Sequence, residues 1–268
     1  MEREFTVHAI VLRRRDAGDS DRRLTLLTRE QGVIDAYARG ARKAGSRLAG
    51  CSEPLSASIL QLAKGKVNLF IKQSQPVTSF AKLRSDYDRL SAGLAIAELY
   101  SLAIPRGQDS EELFSSLVAA LRYLEVHENP IVAFVWAAIR LMDEAGFMPQ
   151  LTACVVTGDP ISEVMPFISP NAGGYVSGRI AGSYPDAYRT RVEVIYGLVK
   201  LAELERPPVH LKFVNETLDA LHAHWLGIAE RKLLSFESLV QSVMLQRQSE
   251  EEVARTKGFE PPTLSSED

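Results

Sequence analysis

Short runs of alternating apolar and polar residues fill the first 80 positions of the chain, a pattern typical of β-strands. The runs are residues 5–12, 24–28, 33–38, 55–62 and 67–77. Glycine and aspartate favour bent backbone, and they mark turns between these runs. Five strands without a long helical stretch predict a small closed barrel, and the OB-fold is the best-known barrel of five strands.

After Phe80 the period of the pattern approaches 3.6, which predicts helices. We expect them near residues 85–102, 109–125, 130–146, 189–205 and 211–246. Residues 147–187 lose this period and are rich in glycine and proline, so they predict an irregular insert. The pattern thus predicts an α+β protein, with an OB-fold domain over residues 1–80 and a helical domain over residues 81–248.

The last segment, residues 249–268, holds six acidic and two basic side chains and lacks an apolar stripe. Such a composition predicts a disordered acidic tail.

The 268-residue chain has a formal net charge of −3, but its charge is unevenly distributed. Residues 1–80 hold 14 of the 31 Lys and Arg and 8 of the 34 Asp and Glu, so they carry +6 while the remainder carries −9. A cationic face concentrates polyanions by counterion release, so the basic barrel predicts nucleic-acid binding. The candidate DNA-binding residues are Arg13, Arg14, Arg15, Arg22, Arg23, Arg39, Arg42, Lys43, Arg47, Lys64 and Lys66.

Aromatic side chains are expected mainly in the core. Tyr37 and Phe70 lie on barrel strands and have the chemistry to stack on bases, but the apolar pattern favours packing inside the barrel. The helical domain has four aromatic residues at apolar-periodic positions, which we also expect in the core: Phe134, Trp136, Tyr196 and Trp225.

Local motifs give no active site. Ser46 stands where a phosphate-binding loop needs lysine, and Arg47 stands where it needs a hydroxyl. Asp16, Asp19 and Asp21 have the chemistry to hold a divalent ion for a nuclease, but turn chemistry and neighbouring arginines account for them. We therefore expect a protein that is not an enzyme and needs no cofactor.

The insert contains, in this order, the run Gly146–Gly158, the pair Gly173-Gly174 and the run Ser177–Ile180. With these segments it resembles the zinc-ribbon insert of the RecO recombination mediators. Further segments agree in family order: Ala9–Arg13, Leu24–Gly32, Ala38–Lys43 and Glu230–Leu239. The likeness covers roughly residues 5–240.

This resemblance implies an OB domain and a helical body that bind single- and double-stranded DNA and anneal complementary strands. It also implies cooperation with RecR in loading RecA onto DNA coated with single-strand-binding protein. Family members contact the C-terminal tail of that protein, which is acidic with an apolar tip, through the helical body. Arg231 and Lys232 are our candidates for that contact.

The four zinc positions of the family are occupied here by Cys154, Thr157, Ser177 and Ile180. A structural zinc site needs about four nitrogen or sulfur donors, so we expect no zinc.

The two cysteines predict no disulfide framework, and residues 1–4 lack the basic-then-apolar layout of a secretion signal. We expect a cytoplasmic, nucleoid-associated protein with no membrane partner. Three further interpretations stay open: an RNA-binding OB-fold adaptor, a metal-dependent nuclease built around Asp16, Asp19 and Asp21, and an adaptor whose basic face meets an acidic protein.

Overall fold

The computed structural model describes residues 4–104, 106, 110–229 and 231–256. It begins with five strands, β1 Glu4–Ala17, β2 Asp21–Thr28, β3 Gly32–Ala38, β4 Ala57–Lys64 and β5 Leu69–Thr78. They close a barrel in the order β1-β2-β3-β5-β4, in which only the β3–β5 pair is parallel. The predicted five-stranded, OB-like barrel is confirmed.

Strand β1 is buried on both of its sides, which explains its nearly continuous apolar sequence. Val7, Ala9 and Val11 point into the barrel and pack there against residues of the other strands. Ile10 and Leu12 belong instead to the core that the barrel shares with the helices. The barrel and the helical body are therefore held together by a common apolar interface.

Seven helices make up most of the rest of the described chain. They are α1 Ala81–Ser85, α2 Tyr87–Ala103, α3 Glu111–Val126, α4 Pro130–Glu144, α5 Val192–Ala202, α6 Val214–Ile228 and α7 Leu234–Thr256. Helix α2 is central, because it packs against β1, α3, α4 and α7. Together with the barrel, these helices confirm the α+β class.

Polar caps fix two of the helix starts that the sequence predicts. The Asp86 carboxylate accepts the backbone N–H of Arg89 at 3.0 Å and begins α2. The Asn129 side chain accepts the N–H of Ile131 at 2.9 Å and begins α4 ahead of Pro130.

Three of the four aromatic residues expected in the helical core are there. Phe134, Trp136 and Trp225 are buried. Tyr196 is 60% exposed, so its predicted core position is wrong. It lies on α5 beside buried Ile195, on the side that faces solvent.

The insert has more regular structure than its sequence predicts. Strands β6 Phe167–Ser169, β7 Gly174–Val176 and β8 Tyr188–Arg189 form a sheet in the order β7-β6-β8. Gly174 is required there, since an added Cβ would lie 2.1 Å from the carbonyl oxygen of Gln150. Three-residue strands are too short to show a period, which explains why the pattern does not reveal them.

The end of the chain also differs from the prediction. Helices are expected to continue through about residue 246, and the structure has two there, α6 and α7, of which α7 continues to Thr256. Residues 249–256 are therefore helical, and their predicted disorder is wrong, whereas residues 257–268 lie outside the described part of the chain. The Glu98 carboxylate of α2 accepts the N–H groups of Ser235 and Phe236 at 2.8 and 3.1 Å and so caps α7.

Candidate nucleic-acid interface

Four of the side chains on the outside of the barrel form one row across its strands. Arg15 of β1 lies opposite Arg23 of β2, Arg23 lies opposite Tyr37 of β3, and Tyr37 lies beside Phe70 of β5. We call Arg15, Arg23, Tyr37 and Phe70 the cross-strand row. It places two cations next to two aromatic rings on one face.

The alternation of each strand turns this row outward. Leu24, Ala36 and Ala38 flank row residues and point into the barrel interior. Tyr37 and Phe70 are therefore part-exposed on the outer face, and the expectation that they pack inside the barrel is wrong. The sequence contains a signal for this orientation. Ala36 and Ala38, on either side of Tyr37, are small enough to face the barrel interior, so Tyr37 between them faces outward.

Arg39, the first residue after β3, adds a third cation at the Phe70 end of the row. Its guanidinium carbon lies 3.9 Å from the centroid of the Phe70 ring, whose centroid lies 5.9 Å from that of Tyr37. The β4–β5 turn adjoins the same ring, since an added Cβ at Gly65 would come within 2.8 Å of Phe70. This turn carries the exposed side chains of Lys64 and Lys66, so the structure brings both candidate lysines close to the row.

The loop between β3 and β4 is anchored to the first hairpin. The N–H of Arg42 donates to the carbonyl of Ser20 at 2.9 Å, and the Asp21 carboxylate accepts the N–H of Gly40 at 2.8 Å. Arg42 also pairs with Asp16 at 3.5 Å. The exposed cations Arg42, Lys43 and Arg47 are thus held near the tip of the β1–β2 hairpin.

The same contacts account for two of the three hairpin aspartates. Asp16 pairs with Arg42 and Asp21 accepts a backbone N–H group, as turn chemistry predicts. Across the described residues, no group of three His, Cys, Asp or Glu has the arrangement to hold a metal ion.

Two of the candidate arginines face the opposite side of the hairpin and are used internally. Arg22 is 14% exposed and donates to Glu53 at 2.9 Å and to Ser52 at 2.7 Å. Arg14 pairs with the other oxygen of Glu53. Their guanidinium groups hold the loop after β3 to the barrel, and Arg22 in particular has little surface left for a ligand.

Arginines that come from distant parts of the chain line a cavity of about 310 Å³ between the barrel and α2. Arg13, Arg15 and Arg23 line it from strands β1 and β2. Arg106, which follows α2 and whose backbone bridges to Gly32 and Val33 of β3, and Arg231, which follows α6, also line it. We call this cavity the arginine cleft. Burial and then the charges of Arg15 and Arg231 lower the pKa of Arg13, against an opposing effect of Glu98. No local motif in the sequence marks Arg106 as a site residue.

A groove along α3 combines apolar and cationic side chains. It has a volume of about 730 Å³, and Phe114, Val118, Val126, Arg29 and Arg122 are among its lining residues. The Arg29 guanidinium lies 5.7 Å from the centre of the Phe114 ring. This groove is separate from Arg231, which lies at the arginine cleft.

Of the four zinc positions in the insert, one holds a zinc-binding side chain, Cys154. Buried Cys154 accepts the N–H of Ser177 at 3.3 Å, so two of the four zinc positions do meet. Burial raises the pKa of this thiol, but hydrogen bonds from Thr157 and from nearby backbone N–H groups prevail and lower it to about 7. One thiolate, two hydroxyls and the alkyl chain of Ile180 do not fit a tetrahedral zinc site.

No helix in the part of the chain that the structure describes has both the length and the apolar character needed to cross a membrane.

Family models match nearly the whole described chain. The model described as Recombination protein O N terminal matches residues 1–80, and the model described as Recombination protein O C terminal matches residues 84–233.

Curated relatives carry one name. The DNA repair protein RecO of Heliobacterium modesticaldum is 39% identical over 178 residues, which are 65% of this chain and 64% of that relative. The DNA repair protein RecO of Anaeromyxobacter dehalogenans is 34% identical over 241 residues, 84% of this chain and 93% of the relative. The DNA repair protein RecO of Gloeobacter violaceus is 31% identical over 209 residues, which are 77% of this chain and 80% of that relative. The match thus spans less than two thirds of the length of the first of these relatives.

Proposed function

Because the chain belongs to the RecO family, we propose that it is a DNA-binding mediator of recombination in the RecF pathway of DNA repair. In this proposal it anneals complementary strands and breaks no bond. The observation that carries the proposal is the cross-strand row, which places arginines beside aromatic rings on the outer face of an OB-like barrel.

The pairing of Arg15 with Arg23 supports an anionic ligand. Like charges directly opposite each other across two strands destabilise a sheet. Asp35 pairs with Arg23 at 3.0 Å, whereas among the described residues Arg15 has no carboxylate within ion-pair distance to offset its charge. A phosphate lying between the two guanidinium groups would offset it.

The aromatic half of the row supports single-stranded ligands. Tyr37 offers a part-exposed ring beside that of Phe70, on which the Arg39 guanidinium already stacks, and stacking on ring faces tolerates any base. Arginine contacts to phosphates likewise carry no sequence information. A strand held in this way keeps its base edges available for a complement, which is what annealing requires.

We further propose RecR and single-strand-binding protein as partners, and RecA as the protein loaded onto the DNA. The α3 groove suits the tail of single-strand-binding protein better than Arg231 and Lys232 do. It has the apolar surface for the tail's tip and has Arg122 for its acidic residues, whereas Arg29 already pairs with Glu111 at 3.6 Å. Replacement of Arg122 by Glu should then weaken binding of a peptide of that tail and leave bare DNA binding unchanged.

DNA binding tests the proposal directly. Replacing Arg39, Arg42, Lys43 and Arg47 together by alanine should weaken oligonucleotide binding and flatten its salt dependence, by about 0.7 in slope for each phosphate that is no longer bound. Annealing of complementary strands coated with single-strand-binding protein, with and without RecR, tests the mediator role. A wild-type protein that binds no oligonucleotide at low ionic strength would contradict the proposal, and cleavage of labelled DNA with magnesium would contradict its non-enzymatic part.

A second candidate function is an RNA-binding adaptor. The row offers contacts for phosphates and base faces, which do not distinguish ribose from deoxyribose. Competition between matched DNA and RNA oligonucleotides separates the two functions, since preference for RNA would favour the adaptor. As a DNA-binding protein the chain is expected on the nucleoid in the cytoplasm, which fluorescence microscopy of a tagged protein would test.

A further inference from the structure

The arginine cleft concentrates positive charge that the described protein leaves largely unpaired. Arg13, Arg15 and Arg231 have no carboxylate within ion-pair distance among the described residues, although all three line the cavity. Like charges held around one cavity repel one another, so the arrangement costs free energy unless an anion enters.

One carboxylate does line the cleft. Asp35 of β3 accepts hydrogen bonds from Arg106 at 2.8 Å, from Arg23 at 3.0 Å and from the Thr25 hydroxyl at 2.9 Å. Two of these donors are arginines, Arg23 on β2 and Arg106 after α2. An anion bound in the cleft would therefore compete with Asp35 for the guanidinium groups of Arg23 and Arg106.

The cleft is continuous with the cross-strand row. Arg15 and Arg23 belong to both, and Arg13 lies opposite Thr25 in the neighbouring register of the same hairpin. A strand lying along the row therefore has a direct path into the cleft. Its volume of about 310 Å³ leaves room for a phosphate group beyond the end of the row.

We propose that the arginine cleft is a second phosphate site, in which Arg106 and Arg231 of the helical body bind the nucleic-acid backbone together with Arg13, and that Asp35 competes with this phosphate for Arg23 and Arg106. The inference rests on the proposed function, because it takes the strand on the barrel as its ligand. It makes the helical body part of the nucleic-acid interface rather than a scaffold alone.

The competing role of Asp35 gives a result that an ordinary structural ion pair does not give. Replacing Asp35 by Asn removes the negative charge and keeps the shape, so a phosphate should bind about fivefold more tightly. If Asp35 only fastens Arg106 to the barrel, the same substitution should leave binding unchanged or weaker.

The experiment measures the anisotropy of a labelled oligothymidylate over a range of salt concentrations. The double variant Arg106→Gln and Arg231→Gln should weaken binding and reduce the slope by about 0.7 for each phosphate that it no longer binds. Arg206→Gln is the matched control, since Arg206 is an exposed arginine of the helical body outside the cleft, and it should match wild type.

A double variant that keeps the wild-type slope would overturn the cleft as a phosphate site. An Asp35→Asn variant that folds and binds no more tightly than wild type would overturn the competition. Should Asp35→Asn fail to fold, the double variant still decides the site. If the cleft or the competition is overturned, weaker binding by the variant of Arg39, Arg42, Lys43 and Arg47 would still support the proposed function. A wild-type protein that binds no oligonucleotide would contradict both the proposed function and the cleft proposal.

Discussion

The two sides of the β1–β2 hairpin use the same residue type in different ways. On one side Arg14 and Arg22 share the carboxylate of Glu53 and hold a loop to the barrel. On the other side Arg15 and Arg23 lie opposite each other on the outer face. A step of one residue along a strand changes the side on which an arginine lies, so position in the pleat separates arginines that stabilise the fold from those that are available to a ligand.

The largest expected effect comes from separating the two sides by mutation. Arg22→Ala should cost about 2 kcal/mol of stability, because it removes charged hydrogen bonds and leaves Glu53 with fewer partners. For a chain of this size the melting temperature should fall by about 4–8 °C. Thermal unfolding followed by circular dichroism measures the change.

Arg23→Ala is the partner variant on the adjacent position. It should melt close to wild type and bind oligonucleotide more weakly, with a smaller salt slope. The comparison would fail if Arg22→Ala and Arg23→Ala lost stability and binding in equal measure.

A smaller effect is expected from the aromatic half of the row. Tyr37→Ala should weaken binding of single-stranded DNA about fivefold or more and leave the salt slope unchanged, because stacking releases no counterions. Tyr196→Ala is the control, since Tyr196 is an exposed tyrosine on the helical body. Equal losses in the two variants would show that the barrel face has no special role.

The smallest expected effect is a pH dependence at Asp35. Burial raises the pKa of this carboxyl, but hydrogen bonds from Arg106, Thr25 and Arg23 prevail and hold it below its ordinary value. The associated stability is present above the unfolded pKa of about 3.9 and is lost as the pH falls through the folded pKa. Since Asp35 and its two arginine partners are partly exposed, the free energy of unfolding should fall by less than about 1 kcal/mol.

Asp35→Asn is the comparison for that pH effect. Urea unfolding at neutral pH and below about pH 4 should show a smaller decrease of stability for Asp35→Asn than for wild type. Identical decreases would mean that Asp35 gains nothing from its arginine partners.

The sequence predicts the barrel well because its strands have a strong local pattern. Leu24 to Thr28 consists of leucine and β-branched threonine, and the turns before and after it contain glycine or aspartate. The starts of α2 and α4 are equally local, since Asp86 and Asn129 cap them through their own side chains.

The site is less predictable because its members are distant in sequence. Arg106 meets Asp35 across 71 positions, and no periodic pattern encodes that contact. Charge alone makes Arg22 a candidate for DNA binding, although its place beside Arg23 in a strand already puts it on the opposite face. The sequence predicts an earlier end of α7, because the last turns of this helix are polar and have no apolar stripe.

The central claim is that the outer face of the barrel holds a nucleic-acid strand. Photocrosslinking of an oligonucleotide containing 5-iododeoxyuridine, followed by mass spectrometry of the linked peptides, tests it most directly. The account predicts crosslinks at Tyr37 or Phe70, whose rings lie side by side on that face. Crosslinks found only on the helices away from the barrel, or none at low ionic strength, would contradict it.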